Sequence, residues 1–232
     1  MTRKYHTRRR KKRRKFKFKI DKHRIELFLI LLIIILIAIS SSLSSCIKTK
    51  YNSSSKNIFS EMRLKRHLNK SYPVKINEVT YNWKSPLNTK DFIPTQIVLH
   101  HTATSTANPQ LVNAAHLANG WSGIGYHFLI RKDGTIYRGR PENAIGAHVL
   151  NYNAQSLGIC LEGNFENENI TAAQEKAVTS LCGMLMDKYS INKICKHSDL
   201  YNTACPGKNF PFDKICSESK EKAEEYNKLP DL

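Results

Sequence analysis

Acidic residues are scarce in this sequence, and they are scarcest at its amino-terminal end. The 232 residues contain 37 Lys and Arg against 19 Asp and Glu, which gives a formal net charge of +18. Residues 2–24 hold 14 of the basic residues and a single acid, Asp21. Residues 76–232 lack this excess, because 15 basic residues there are balanced by 16 acidic ones. A nucleic-acid-binding fold needs its positive charge on the folded body, so this distribution argues against DNA or RNA as a partner.

The sequence also lacks the marks of a repetitive or disordered chain. No internal repeat is visible, and 41% of the residues are hydrophobic, with 10 Tyr and 9 Phe among the aromatic residues. Such a composition can form a buried core. The length predicts one domain with extensions, or at most two, and about 155 residues remain for the core once the extensions are set aside.

An unbroken run of 13 apolar residues, Leu27–Ile39, follows the basic segment. As a helix it spans roughly 20 Å, short of the roughly 30 Å hydrocarbon core but typical of a signal peptide. Extension to residues 25–47 gives a sufficient length but includes Glu26 and several serines. Two interpretations remain open. One is an uncleaved signal anchor; the other is a lipoprotein signal, because the sequence LSSC, which ends at Cys46, resembles a bacterial lipobox.

Basic residues before an apolar run hold the amino terminus in the cytoplasm, which fixes the predicted organisation of the chain. Residues 1–24 are predicted to be a cytoplasmic tail, and residues 25–47 the membrane segment. Residues 48–71 are polar and are predicted to be a linker. Residues 72–232 are predicted to be a folded domain outside the cytoplasm, in the periplasm or at the cell surface.

The domain alternates segments that favour strands and helices. Strands are predicted at Gln96–His100, Gly125–Arg131, Leu157–Leu161 and Ile191–Lys196, with a hairpin turn at Asp133-Gly134. Helices are predicted over Pro109–Asn119 and from a capping box at Thr171–Gln174 to about Tyr189. This order predicts an α/β fold in which a central mixed β-sheet is flanked by helices.

Two imidazoles and one thiol stand out as a candidate metal site. His100 and His101 end the first predicted strand, and His197 and Cys205 lie later in the segment HSDLYNTACPG. Two His and one Cys are a recurring zinc set that leaves a fourth position for water. Strand alternation places His100 and His101 on opposite faces, so only one of them can point at a metal.

Five collinear segments widen this pattern, namely VLHHTAT, NGWSGIGYHFLI, DGTIYRGR, IGAHVLNYNAQSLGICLEGNF and HSDLYNTACPG. In this order and spacing they resemble the type 2 N-acetylmuramoyl-L-alanine amidases, a superfamily that includes the peptidoglycan recognition proteins. The resemblance covers roughly residues 81–212. It implies that His100, His197 and Cys205 bind Zn²⁺, and it leaves His101 to support or pack against the site.

The resemblance also implies roles for three further residues in catalysis. Tyr126, in GIGYHF, would donate a hydrogen bond to the carbonyl oxygen of the scissile bond. Glu162, in LEGNF, matches a carboxylate that acts as a general base in some relatives, although an exposed acid at a strand end is the alternative. Thr203 takes the position of a lysine found in some phage relatives, so that it offers a hydroxyl without a charge.

Substrate binding is expected at His148 and Asn153, which the resemblance places at the rim of the cleft. Trp121 can stack on a sugar or pack in the core, and packing is the more frequent fate of such a residue. Arg138 and Arg140 can meet a carboxylate of the peptide stem, but solvated surface arginines are the default.

The resemblance implies a membrane-anchored zinc amidase that hydrolyses the bond between N-acetylmuramic acid and L-alanine in peptidoglycan. A peptidoglycan-binding module without catalytic activity is the alternative, against which the presence of Cys205 argues. Peptidoglycan and the membrane are the expected partners, and the oligomeric state is left open.

The four cysteines outside the metal set are Cys160, Cys182, Cys195 and Cys216. Disulfides are permitted outside the cytoplasm, but plain buried thiols at Cys160, on an apolar strand, and at Cys182, on a helix face, are the preferred interpretation.

Overall fold

The computed structural model of the chain describes residues 70–89 and 92–230, and within them six strands form one mixed sheet. The strands are β1 (Ile76–Asn77), β2 (Gln96–His101), β3 (Phe128–Ile130), β4 (Ile136–Arg138), β5 (Ser156–Leu161) and β6 (Ile194–Lys196). Their spatial order is β1-β4-β3-β5-β2-β6. The β3–β4 pair is antiparallel and the other four neighbouring pairs are parallel, which confirms the predicted mixed sheet.

Three α-helices cover the two faces of this sheet. They are α1 (Pro109–Ala118), α2 (Ala172–Tyr189) and α3 (Phe212–Asn227). Leu99 and Ile159 point to the face on which Leu181 and Leu185 of α2 are buried. The opposite face carries a smaller apolar cluster made by Val112 of α1 together with Ala107, Ile124, Leu129 and Cys160. Alternate residues of one strand therefore serve two different cores.

The capping box predicted for α2 is present. The Thr171 hydroxyl accepts a hydrogen bond from Gln174 N at 3.0 Å, and the Gln174 side chain accepts one from Thr171 N at 3.1 Å. The Gln174 amide also donates to the carbonyl oxygen of Glu162 at 2.7 Å, so the start of the helix is tied to the end of β5.

The first helix and the hairpin also follow the sequence signals. The Asn108 side chain caps α1 by accepting from Leu111 N, and Pro109 occupies the first turn. Gly134 has φ +81° in the turn between β3 and β4, a conformation that glycine adopts without strain. Both predictions are confirmed.

The segment that precedes β1 is fastened to the helices on one face. Lys70 Nζ lies 3.0 Å from Asp187 Oδ2, and both side chains are almost fully buried. The Tyr72 hydroxyl donates to the same carboxylate oxygen at 2.7 Å. Lys70 therefore belongs to the packed domain rather than to the predicted 48–71 linker.

Other predicted boundaries differ from the structure. The strand expected over Gly125–Arg131 is confined to Phe128–Ile130, and the one expected over Ile191–Lys196 to Ile194–Lys196. Strand β1 and helix α3 were not expected from the sequence. The five cysteines in the described part of the chain are free thiols, and Cys160 and Cys182 are buried, as the preferred interpretation predicts.

The amino-terminal predictions fall on residues that lie outside the described part of the chain. These are the 1–24 tail, the 25–47 membrane segment with Cys46, and most of the 48–71 linker. Across residues 70–89 and 92–230, no helix has the length and apolar character needed to cross a membrane.

Candidate metal centre and cleft

The candidate metal group consists of His100, His197 and Cys205. Their ligand atoms all lie within 4.8 Å of one another, and within the described ranges this is the group of His, Cys and carboxylate side chains that can hold a metal ion. His100 Nδ1 lies 3.7 Å from Cys205 Sγ, and the His100 and His197 ring centroids are 4.5 Å apart. Two imidazole nitrogens and one sulfur are ligands that Zn²⁺ prefers, so this set fits the expected cofactor.

Three separate segments bring these ligands together. His100 is near the carboxyl end of β2, and His197 follows β6, which pairs with β2 in parallel. Cys205 lies in the next loop, where its carbonyl oxygen accepts from Ser198 N at 2.9 Å. Parallel strands end at the same edge of a sheet, which is why ligands distant in sequence meet there.

His101 points away from the group, because strand alternation places it on the face opposite His100. Its Nδ1 accepts a hydrogen bond from Phe165 N at 3.2 Å on the other face of the sheet. Its own backbone N–H donates to Cys205 Sγ at 3.4 Å. His101 therefore supports the sulfur through its main chain while its side chain packs elsewhere.

Burial sets the protonation of all three candidate ligands. Burial, followed by the neighbouring imidazoles of His148 and His197, holds the pKa of His100 well below its usual value. Burial also lowers the pKa of His197. Burial raises the pKa of the Cys205 thiol to about 12, although the His101 N–H opposes this effect. Both imidazoles are thus neutral and have a lone pair available, and a cation at this site would have to displace the thiol proton.

Tyr126 lies directly beside the candidate ligands. Its ring centroid is 5.1 Å from that of His100 and 5.2 Å from that of His116. Burial, with smaller contributions from Cys160 and Cys205, raises the pKa of Tyr126 well above its usual value. Its hydroxyl therefore keeps its proton at neutral pH and can act as a hydrogen-bond donor.

A cleft of about 370 Å³ opens next to His197. Its walls are aromatic, aliphatic, amide and imidazole side chains, formed by Trp121, Ala147, His148, Val149, Leu150, Asn153, His197 and Tyr201. All three residues predicted to bind substrate, Trp121, His148 and Asn153, line this cleft. The favoured expectation that Trp121 packs in the core is wrong, because 40% of the residue is exposed.

His148 and Asn153 have structural contacts in addition to their place in the cleft. His148 is only 7% exposed, so it lies in the floor of the cleft rather than at its rim. Its Nδ1 lies 3.0 Å from His100 Nε2. The Asn153 side-chain oxygen accepts from the backbone N–H groups of His148 and Val149, at 2.7 and 3.0 Å. Asn153 thus holds the loop that presents His148.

Glu162 is buried and fully engaged by other groups. Its carboxylate accepts from Ala107 N at 2.7 Å, from Arg131 Nε at 2.9 Å and from Lys132 N at 3.0 Å. Burial alone raises the pKa of Glu162, but these hydrogen bonds outweigh it and the pKa lies below its usual value. The predicted role as general base therefore gains no support from its contacts, which instead join the segment before α1 to the segments that follow β3 and β5. The alternative of an exposed acid is wrong.

Thr203 faces a different cavity from the cleft. Its hydroxyl accepts from Cys205 N at 3.2 Å, which shapes the loop that carries the candidate ligand. Thr203 lines a polar cavity of about 500 Å³ formed with Lys196, Lys208 and Lys214. The hydroxyl therefore orders the Cys205 loop, and its predicted part in catalysis has no contact here that supports it.

The two candidate arginines are engaged away from the cleft. Arg140 is buried and donates to the carbonyl oxygens of Ile124 and Ile145, at 2.8 and 2.6 Å. Arg138 forms an ion pair with Glu142 at 2.8 Å. Neither guanidinium is therefore free to bind a carboxylate of the substrate. The alternative, a solvated surface arginine, is also wrong for Arg140, because that residue is buried.

Sequence reasoning missed the two most exposed residues of the cleft. Tyr201 is 50% exposed and its ring stacks on His197 at 5.9 Å and 23°. Leu150 is 61% exposed on the cleft wall. Tyr201 lies between two candidate ligands, four residues after His197, and this position could have indicated that it lies near the site. No local pattern in the sequence marks Leu150 in the same way.

Comparisons with known proteins agree with this geometry. A model of the N-acetylmuramoyl-L-alanine amidase family matches residues 89–208. The solved structure of the endolysin N-acetylmuramoyl-L-alanine amidase LysCS from Clostridium intestinale URNW is similar, with 48% identity and a TM-score of 0.63. That comparison covers 65% of this chain and 98% of LysCS.

Two further relatives come from different kinds of organism. The endolysin of Klebsiella phage KP32 is 37% identical over 119 residues, which cover 48% of this chain and 79% of the endolysin. Peptidoglycan-recognition protein SC2 of Drosophila melanogaster is 37% identical over 141 residues, which cover 54% of this chain and 74% of that protein.

Proposed function

The chain belongs to the N-acetylmuramoyl-L-alanine amidase family, and from this premise we propose that it is a zinc-dependent peptidoglycan amidase. The bond it cleaves is the amide between the lactyl group of N-acetylmuramic acid and L-alanine. The likeness to LysCS, whose name states this activity, supports the choice of bond.

One observation carries the proposal, namely the group of His100, His197 and Cys205 at the edge of an open cleft. His100 and Cys205 are buried, whereas His197 is half-buried and lines the cleft. Three protein ligands beside a cavity leave a position for a reactant, which is the pattern of catalytic rather than structural zinc sites. A zinc ion held there would act as a Lewis acid and lower the pKa of a water molecule towards neutrality.

The chain's own residues then bind and orient the substrate. Trp121 and Tyr201 offer exposed aromatic faces on which a sugar ring can lie. The protonated Tyr126 hydroxyl donates to the amide carbonyl oxygen, where negative charge develops as the bond is attacked.

We also propose that the amino-terminal region attaches this domain to the membrane, with residues 1–24 in the cytoplasm and the domain outside. The basic segment followed by Leu27–Ile39 supports this arrangement. Cell fractionation of the full chain and of Cys46→Ala, with a labelled fatty acid, distinguishes the two forms of attachment. A lipoprotein loses its label in the variant, whereas a signal anchor remains in the membrane fraction in both. Recovery of the native chain in the soluble fraction would contradict the proposal.

A peptidoglycan-binding module without catalytic activity is the second candidate. The similarity to peptidoglycan-recognition protein SC2 favours it. The Glu162 carboxylate favours it as well, because it is engaged by Ala107 and Arg131 and is not free to act as a general base. Both candidates share peptidoglycan as the partner and differ in whether a bond is broken.

One digestion experiment separates the candidates. The full chain, purified in detergent, is incubated with peptidoglycan, with a chelator, and with chelator followed by added zinc. An amidase releases stem peptides that begin with a free L-alanine amine and leaves intact glycan strands, as seen by mass spectrometry. The products should vanish with chelator and return with zinc. A zinc-loaded protein that sediments with peptidoglycan and releases no peptide would establish the binding module.

A further inference from the structure

His148 occupies a space that two glycines create for its ring. A Cβ on Gly158 would lie 2.6 Å from His148 Cγ, and a Cβ on Gly146 would lie 2.5 Å from His148 Cδ2. Any side chain at either position would therefore displace the imidazole. The His127 ring, 5.8 Å away and nearly perpendicular, contacts another side of it. The orientation of His148 is fixed by packing.

The surroundings of His148 Nε2 determine which ring nitrogen carries the proton. Nε2 lies 3.5 Å from the Ser156 carbonyl oxygen and 3.4 Å from Ser156 Oγ. The Ser156 hydroxyl already donates to the Tyr152 carbonyl oxygen at 2.7 Å, so its oxygen faces His148 as an acceptor. Because both neighbours accept, Nε2 must donate, and Nδ1 of the neutral ring is left with a lone pair.

That lone pair faces the candidate ligand. His148 Nδ1 lies 3.0 Å from His100 Nε2. Since His148 Nδ1 accepts, His100 Nε2 must carry the hydrogen. The other nitrogen of His100, Nδ1, then has its lone pair free on the side of Cys205 Sγ, 3.7 Å away. The partner of one imidazole nitrogen thus determines which nitrogen can bind a metal.

We propose that His148 is a positioning residue that fixes the tautomer and ring orientation of His100, so that Nδ1 is the nitrogen presented to the metal. The Ser156 main chain and Asn153 extend this arrangement, because Asn153 holds the backbone of His148. The inference rests on the proposed zinc site. It differs from the expectation that His148 acts on the substrate, which remains the competing outcome.

A matched pair of amide substitutions tests the proposal. In His148→Asn the amide reaches the level of Nδ1 and can accept from His100, whereas in His148→Gln it reaches the level of Nε2 and leaves His100 Nε2 without its acceptor. Zinc affinity is measured for the full chain and both variants by competition with a chromophoric chelator. The spectrum of the cobalt-substituted proteins reports the ligand geometry.

The expected result is zinc binding by His148→Asn within a few-fold of the native chain and binding by His148→Gln weaker by about 10- to 100-fold. The cobalt spectrum should change in the Gln variant alone. Circular dichroism and thermal unfolding of the metal-free proteins verify that both variants fold. If His148→Gln does not fold, His148→Leu replaces it, and the same loss of zinc affinity is expected because leucine offers no acceptor to His100.

Equal zinc affinity in all folded proteins would overturn the inference. A raised KM for peptidoglycan in that case would assign His148 to the substrate. A native chain that binds no zinc would instead overturn the zinc assignment of the proposed function, so the two failures are distinguishable.

Discussion

The thiol of Cys205 is the group that most distinguishes this site from an ordinary cluster of buried histidines. Its replacement in Cys205→Ala should abolish both zinc binding and amidase activity, because only two protein ligands would remain. Zinc content by metal analysis and peptide release from peptidoglycan are the measurements. Cys216→Ala, which changes a half-buried thiol on α3, is the matched control and should retain both. Full activity of the Cys205 variant would refute the ligand assignment.

Tyr126 offers a second test at the level of one atom. Tyr126→Phe removes the hydroxyl and keeps the ring, so zinc binding should be unchanged while kcat falls by about 10²- to 10³-fold. Tyr137→Phe, on β4, is the control and should leave kcat unchanged. A kcat for the Tyr126 variant within twofold of the native value would show that the hydroxyl does not stabilise developing charge.

Residue identity was predictable where a pattern within one strand decided it. The alternation along β2 allowed only one of His100 and His101 to face a metal, and the family resemblance selected His100. In the structure His100 is the one that faces Cys205. The contacts of Glu162 were not predictable, because the groups that donate hydrogen bonds to its carboxylate lie in distant parts of the chain. Arg131 and the Ala107 N–H reach Glu162 only through the fold, and no local pattern in the sequence marks them.

Among the elements, α2 begins at a cap that is linked to the sheet. The Thr171 hydroxyl accepts from Gln174 N and donates to the carbonyl oxygen of Lys132 at 2.7 Å. Thr171→Ala should therefore lower the free energy of unfolding by about 1–2 kcal/mol, measured by urea denaturation. Thr171→Ser keeps the hydroxyl and should recover most of the loss. Equal stability of the Ala variant and the native chain would contradict the role of the cap.

A buried carboxylate joins the end of the hairpin to α2. Glu142 accepts from Arg138, from Lys188 at 2.9 Å and from the Tyr189 hydroxyl at 2.8 Å. Burial raises the pKa of Glu142, but Lys188 and Arg138 outweigh it and hold the pKa below the usual 4.5. A depressed pKa contributes stability that is present above the unfolded-state value and is lost as the pH falls through the folded-state value.

Glu142→Gln should accordingly lower the free energy of unfolding at pH 7 by about 1–3 kcal/mol. The difference between variant and native chain should shrink as the pH falls below about 4.5, because the native carboxylate then becomes neutral as well. Urea denaturation of both chains across this range measures it. A difference that stays constant with pH would show that lost packing, rather than charge, accounts for the effect.

Elements with strong local signals were predictable and those with weak signals were not. The capping box of α2, the hairpin turn at Gly134 and the apolar strands β2 and β5 all have residue patterns that are visible in the sequence. Helix α3 does not, because one of its inward positions is Ser219, which is fully buried and interrupts the apolar spacing between Ile215 and Tyr226. Strand β1 has two residues and pairs with β4 from a distant part of the chain, so no periodicity can reveal it.

For the molecule as a whole, several buried histidines couple folding to pH. Burial is the main cause that lowers the pKa of both His116 and His127 to about 4, while an unfolded histidine titrates near 6.5. Between these values the unfolded chain binds more protons than the folded one, so stability rises with pH. Each unit of pKa difference is worth about 1.4 kcal/mol.

The free energy of unfolding should therefore fall steadily as the pH is lowered from about 6.5 to 4. Urea denaturation with a chelator present measures it without a contribution from bound metal. His127→Gln removes one of these groups and should make the pH dependence shallower. A stability that is flat over this range would mean that the histidines titrate in the fold as they do in water.

The ion pair between Lys70 and Asp187 is the first tertiary contact that a pulling force on the amino-terminal side of the domain would meet. Residues 72–76 pack on the face of the sheet that carries α2 and α3, whereas the smaller cluster and His100 lie on the other face. Asp187 is near the carboxyl end of α2, beside the start of β6, while His197 follows the end of that strand. Tension applied through Lys70 would thus be opposed first by this ion pair and by the ends of α2 and α3, on the face of the sheet opposite His100.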